Sequence, residues 1–285
     1  MIIDRLFKAV ESRGPVCVGL DTSSKLLPVS LAAERPLTEA VYEFNRRIID
    51  ATVDVVACYK VQIAYYEALG VEGLSCYRKT LQYAKGKGAL VIGDIKRGDI
   101  AATGEMYAHA HLAGDFEADF VTVNPYMGFD AISPYLPYLR EGGKGIFVLI
   151  RTSNPTAKDF QDLPSPDRSL FMRVAEQVEH WGEESRGECG YSMIGGVVGA
   201  TDPQELVAVR KAFPTLFLLV PGYGAQGAGG KDVAAAFVRG NGAVVNASRS
   251  IIGAHKDRPD GDRRYPEHAR EAVLAMRDDI RRWLK

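Results

Sequence analysis

Eight short apolar runs alternate with helix-patterned segments, and this alternation limits the fold more than any other feature of the chain. The runs cover residues 16–21, 55–62, 89–96, 120–125, 145–152, 193–200, 216–222 and 243–249. Short runs that stay apolar on both faces are what strands buried in a parallel sheet require. Helical patterns are predicted over 37–52, 70–85, 103–113, 130–141, 167–186, 202–213 and 231–239, with a last one over 266–284. Asp202-Pro203-Gln204-Glu205 has the proline and acidic residues of a first helical turn. Strand–helix alternation repeated eight times predicts an α/β fold, a (β/α)8 (TIM) barrel. The alternative, an open doubly wound sheet, lacks a GxGxxG after its first strand. No linker or compositional break divides the chain, so a single domain over 1–285 is expected. The amphipathic stretch 3–10 is expected to form a helix closing the barrel bottom.

The strand over 89–96 runs directly into Asp94-Ile95-Lys96-Arg97-Gly98-Asp99. Two carboxylates and an ammonium leaving a buried strand together are costly to desolvate unless they pair. A salt-bridged strand terminus is one reading. The other is a catalytic lysine held cationic by flanking acids. Barrel enzymes do their chemistry at the C-terminal ends of the strands. Polar residues gather at that end on at least seven runs: Asp21, Lys60 and Gln62, the Asp94/Lys96/Asp99 group, Asn124, Ser153, Gln226 and Arg249. One structural ion pair does not account for all of them.

Composition removes several other classes. With 35 Lys+Arg against 36 Asp+Glu the net charge is −1, which leaves no electrostatic footprint for nucleic acid or an anionic membrane. No apolar run approaches the roughly 20 residues of a membrane span, and the first residues lack the apolar region of a secretory signal. Cys17, Cys58, Cys76 and Cys189 have no metal-ligand spacing, so a reduced, cytoplasmic protein is expected.

After the seventh run comes Pro221-Gly222-Tyr223-Gly224-Ala225-Gln226-Gly227-Ala228-Gly229-Gly230. Glycines let backbone N–H groups approach an anion, and the loops after strands seven and eight are where such barrels hold phosphate. A merely flexible turn is the bland alternative. Arg249, after the eighth run, offers a guanidinium fork for phosphate oxygens, or else is an exposed residue at a helix start. Loop and arginine together argue for a phosphorylated small molecule.

The D-x-K-x-x-D-I-x-x-T pattern, as Asp94, Lys96, Asp99, Ile100 and Thr103, resembles the signature of the orotidine 5′-phosphate decarboxylases. Val18-Gly19-Leu20-Asp21, Tyr59-Lys60-Val61-Gln62, Arg151-Thr152-Ser153-Asn154-Pro155 and the 221–227 loop match in order, and most resemble the longer bacterial class. The chain departs at Ala101, where the family usually carries Gly or Pro. The resemblance implies cofactor-free decarboxylation of orotidine 5′-monophosphate to UMP and CO2. Lys96 is implied as proton donor, with Asp94 beside the departing carboxylate and Lys60 and Asp21 at the ribose and in the charge network. Ser153 is implied at the pyrimidine edge, and Gln226 and Arg249 at the phosphate. Asn124, Pro221 and Gly224 complete the expected substrate-binding set. Asp99, Ile100 and Thr103 are implied to reach a partner's site, hence a homodimer.

A magnesium-dependent phosphosugar decarboxylase or aldolase is the nearest rival, but Lys60 stands where those relatives carry an acidic metal ligand. A non-catalytic nucleotide-binding barrel is a third reading, against which the intact lysine and aspartates argue. No metal is expected. His109 and His111, two apart on a helix, do not share a face. Trp181 and Trp283 read as packing residues, 256–264 as a solvated loop, and 154–169 and 222–230 as lids. Tyr223 is left open between covering a ligand and pointing outward.

Overall fold

The computed structural model describes residues 1–224 and 227–284. Eight parallel strands form a closed barrel: β1 Val16–Gly19, β2 Cys58–Gln62, β3 Leu90–Arg97, β4 Phe120–Val123, β5 Gly145–Arg151, β6 Ile194–Val198, β7 Leu218–Pro221 and β8 Ala243–Ala247. Each strand pairs with its sequence neighbour, and β1 closes on β8 through Val16↔Val245, Cys17↔Asn246 and Val18↔Ala247. β1, β4, β6 and β8 are buried along their whole length, since helices cover the outside and side chains fill the inside.

The observed strands are shorter than the apolar runs at most ends. The last residues of several runs leave the hydrogen-bonded ladder and turn into the barrel mouth. Helices Leu37–Thr52, Gly70–Gly86, Ala101–Leu112 and Pro203–Ala212 follow the predicted pattern closely. Three predicted helices are corrected. Segment 130–141 divides into two 3-10 turns, Gly128–Ala131 and Ser133–Tyr135, before the helix Leu136–Gly142, with Pro134 and Pro137 at the starts. Segment 167–186 reduces to Leu170–Trp181, because residues before it form a small hairpin, Pro164–Ser165 with Arg168–Ser169. Segment 231–239 is only Gly230–Val233 followed by a 3-10 turn, Ala234–Ala236. The last helix begins early, at Gly261, with a kink at Arg264, so part of 256–264 is helical rather than loop.

Inside the barrel, Phe120, Phe147, Phe217 and Tyr191 contact one another in sequence, with ring centroids 5.3, 6.4 and 5.4 Å apart. These rings lie in the N-terminal half of the barrel, so that end is a solid apolar plug. The helix Ile2–Arg13 lies against the same end: Asp4 accepts from Cys189 N at 2.9 Å, and Asn241 donates to Phe7 O at 3.1 Å. The opposite end is left open.

Candidate active site

That open end holds a cavity of about 450 Å³, bordered by Asp21, Lys60, Gln62, Asp94, Lys96, Thr122, Ser153, Pro221, Tyr223, Ser248 and Arg249 among others. Strand register brings the charged groups together. Gly19 is level with Lys60, and Gln62 with Asp94, on adjacent strands. Side chains two apart on a strand share a face, so Lys60 and Gln62 both enter the cavity.

β3 is irregular at the point where Asp94 and Lys96 emerge. Between the pairs Gly93↔Val121 and Arg97↔Val123, residues 93 to 97 of β3 advance against only 121 to 123 of β4. Such a bulge re-aims the side chains it carries. Within it Lys96 adopts a left-handed φ of +47°, rare outside glycine. Its N–H donates to Thr122 Oγ1 at 2.9 Å, and Thr122 Oγ1 donates to Asp94 Oδ1 at 2.8 Å.

Charges alternate across the cavity floor: Asp21, Lys60, Asp94, Lys96. Lys60 Nζ lies 3.2 Å from Asp21 Oδ1 and 2.8 Å from Asp94 Oδ2, and Lys96 Nζ lies 2.6 Å from Asp94 Oδ1. Ser248 Oγ donates to Asp21 Oδ2 at 2.7 Å, and Gln62 Nε2 to Asp94 Oδ2 at 2.9 Å. Each oxygen of Asp94 thus meets two donors. Burial alone would raise the Asp94 carboxyl, but the ammonium groups of Lys60 and Lys96 outweigh it and hold Asp94 well below the usual carboxylate range. Burial alone would likewise lower Lys60, yet Asp94 and Asp21 keep it above the ordinary lysine range. Both therefore stay charged across the working pH. The Lys60 side chain is 7 % exposed, whereas that of Lys96 is 46 % exposed and faces the cavity.

Gly19 makes this arrangement possible. A Cβ there would lie 1.9 Å from Ser248 Oγ, so any larger residue would displace the hydroxyl that fixes Asp21.

Apolar Leu149, Val197 and Leu219 line the cavity beside the charges, and Pro221, Gly222, Tyr223 and exposed Arg249 border it on the β7–β8 side. Charged groups and an apolar wall on one side, with a glycine-bordered guanidinium on the other, suit a flat polar ring joined to an anion. Asp99, Ile100, Thr103, Asn124 and Gly224 lie outside the lining of this cavity. Asp99 Oδ1 accepts from Ile100 N at 2.8 Å, and Asn124 Oδ1 from Tyr126 N at 3.0 Å. Gln226 lies outside the described residues. Among the described residues no group of three His, Cys, Asp or Glu side chains converges to hold a metal ion, and the Lys60 ammonium stands between the cavity's two carboxylates.

Sequence reasoning missed Thr122, Ser248, Asn246, Tyr65 and Thr152 in the lining. Thr122 carried a signal, as the lone hydroxyl in the strand Phe-Val-Thr-Val. Tyr223 borders the cavity, and its hydroxyl donates to Asp279 Oδ2, outside the lining, at 2.9 Å. His111 is buried and His109 exposed. Trp181 packs on Phe129 with centroids 5.7 Å apart, and Trp283 is 49 % exposed.

The sequence profile of the Orotidine 5′-phosphate decarboxylase / HUMPS family matches residues 14–263. Orotidine 5′-phosphate decarboxylase of Clostridium kluyveri is 54% identical over 282 residues, 98% of this chain and 97% of its own. The enzyme of the same name from Petrotoga mobilis is 53% identical over 283 residues, 98% of each chain. Among solved structures, OMP decarboxylase of Leishmania donovani aligns with a TM-score of 0.77 at 32% identity, over 97% of this chain and 99% of its own. With full-length relatives at this identity, and the barrel and its charged mouth in place, the chain belongs to the orotidine 5′-phosphate decarboxylase / HUMPS family.

Proposed function

We infer that this chain is an orotidine 5′-phosphate decarboxylase, a carboxy-lyase of pyrimidine biosynthesis, which converts orotidine 5′-monophosphate to UMP and CO2 with Lys96 as proton donor. One observation carries the assignment of roles. Of the two lysines on Asp94, Lys60 is buried between two carboxylates, while Lys96 keeps half its side chain open to the cavity. Lys60 is committed to two carboxylates and Lys96 to one, so Lys96 is the more available proton donor of the two.

The reaction breaks the bond between C6 of the pyrimidine and its carboxyl carbon, and the electron pair stays on C6. A cation fixed beside that carbon stabilises the developing charge and then gives it a proton. The resulting neutral amine regains its proton from water. Asp94 serves in two ways. Its Oδ1 holds the Lys96 Nζ in place at 2.6 Å, and it remains ionised itself, so it repels a carboxylate placed against it until CO2 leaves. The preorganised cation carries the larger share. Ser153 is assigned to the pyrimidine edge, Lys60 and Asp21 to the ribose, and Gln226 and Arg249 to the phosphate. Binding energy at that remote anion can be used to order loops over the reacting carbon.

The chain is also assigned a homodimer, in which Asp99, Ile100 and Thr103 enter the partner's cavity. Two observations support this. These residues do not line their own cavity, and Ile100, Met106, Tyr126, Met127 and Phe129, on the loops and helix after β3 and β4, are 44–86 % exposed.

A metal-dependent phosphosugar reading fits less well, because Lys60 fills the space between the two cavity carboxylates that a divalent ion would need. The deciding assay follows the ultraviolet loss of orotidine monophosphate with and without EDTA. Turnover is expected to be indifferent to the chelator and to fall at least 10⁴-fold in Lys96→Ala, about the upper range for a positioned acid. Retained turnover in that variant overturns the proton-donor role. Loss of turnover with EDTA favours the metal enzyme.

A further inference from the structure

The loop after β7 is fastened to the C-terminal helix through one carboxylate oxygen. Asp279, on the last turns of the helix Gly261–Arg281, accepts two hydrogen bonds at Oδ2: from Tyr223 Oη at 2.9 Å and from Gly230 N at 2.7 Å. Those donors are the two ends of the glycine-rich stretch. Among the described residues of the stretch, Gly224 N donates to Ala228 O at 2.8 Å and Gly227 N to Gly224 O at 2.9 Å. Gly230 is shaped for this contact. A Cβ there would come within 2.6 Å of Asp279 O and 2.7 Å of Asp279 Oδ2, so only glycine lets the carboxylate reach that N–H. A second contact ties the same surfaces, the Lys231 ammonium over the Trp283 ring at 5.8 Å. Asp279 itself does not line the cavity, whereas Tyr223 does.

We propose that Asp279 is a positioning residue for the anion-binding loop: by clamping Tyr223 and Gly230 together it fixes the two flanks of that loop beside the cavity for the substrate phosphate, from outside the cavity. This rests on the function proposed above and adds to it a dependence of phosphate recognition on the last turns of the C-terminal helix. Ordinary surface capping would need neither two donors converging on one oxygen nor a glycine at the point of approach. A loop held at both ends loses less conformational freedom when an anion arrives.

The test compares orotidine monophosphate with orotidine, the same nucleoside without its phosphate, in the unaltered chain, Asp279→Ala, Asp279→Asn and Tyr223→Phe. For Asp279→Ala, kcat/KM for orotidine monophosphate is expected to fall about tenfold or more, the scale of lost hydrogen bonds to a charged acceptor. Its turnover of orotidine should stay within about twofold, since that substrate makes no use of the loop. Asp279→Asn keeps an oxygen that can accept both bonds and should recover most of the loss. Tyr223→Phe, which removes one donor, should lose part of the efficiency on orotidine monophosphate. Equal losses on both substrates in Asp279→Ala, or no loss on either, overturn the positioning role. Failure of the unaltered chain to decarboxylate orotidine monophosphate overturns the function itself, and this inference with it.

Discussion

At the scale of single residues, the site depends on a hydroxyl as much as on its charges. Lys96 occupies left-handed backbone, which costs a non-glycine residue on the order of 1–2 kcal/mol. The surroundings must offset that cost, and Thr122 is the group placed to do so. Its hydroxyl takes the Lys96 N–H and passes its own hydrogen to Asp94, joining the strained backbone to the charge network. Thr122→Val keeps the shape and removes the bridge. It is expected to cost about 1–3 kcal/mol of stability, because it leaves a partly buried N–H and a buried carboxylate oxygen short of a partner. It should also lower kcat about tenfold with a smaller change in KM, since Lys96 would lose its fixed aim. Urea unfolding and steady-state kinetics measure both. An unchanged kcat would show that the ion pair alone positions Lys96.

At the scale of elements, much of the barrel was legible because parallel strands are buried on both faces and so read as plain apolar runs. The charged residues were legible too, since ionic groups at the end of such a run need a reason. What stayed hidden is geometry without a periodic signature. The bulge in β3 comes from pairing with β4, not from local sequence. Segment 154–169 joins β5 through Arg151, whose guanidinium reaches Asp162 at 2.7 Å and Glu205 at 2.5 Å, partners 11 and 54 residues away in sequence. The Asp279 clamp spans 56 residues to Tyr223 and escapes any reading by pattern for the same reason. The helix after β3 shows how a single side chain sets a pH dependence. His111 is buried, its Nδ1 has no hydrogen-bond partner among the described residues, and its ring stacks on Phe116. Burial first, and the Arg97 charge second, lower it from 6.5 to about 4, so the folded ring stays neutral. The unfolded chain takes up that proton near pH 6.5. Stability is therefore complete above about pH 6.5 and is lost as pH falls towards 4, by about 3 kcal/mol in all. In His111→Leu the difference in unfolding free energy between pH 7 and pH 4.5 should shrink by about 2–3 kcal/mol. An unchanged difference would place the titration elsewhere.

At the scale of the whole molecule, the proposed sharing of sites between two subunits makes a prediction no single chain can. Lys96→Ala and Asp99→Ala should each be inactive alone. Mixed and re-associated at equal amounts, they should regain about a quarter of full activity, because half the dimers are mixed and each of those has one intact site of two. No recovery would show that Asp99 acts within its own subunit. A last consequence follows from the seam where the first strand meets the eighth. Asp21 comes from one side of that seam, and the serine that steadies it, Ser248, comes from the other, 227 residues later. A polypeptide emerging from the ribosome carries its acids and lysines long before it carries that serine. Decarboxylation should thus switch on abruptly in a series of nascent-chain lengths, only once the closing strand has been released from the exit tunnel.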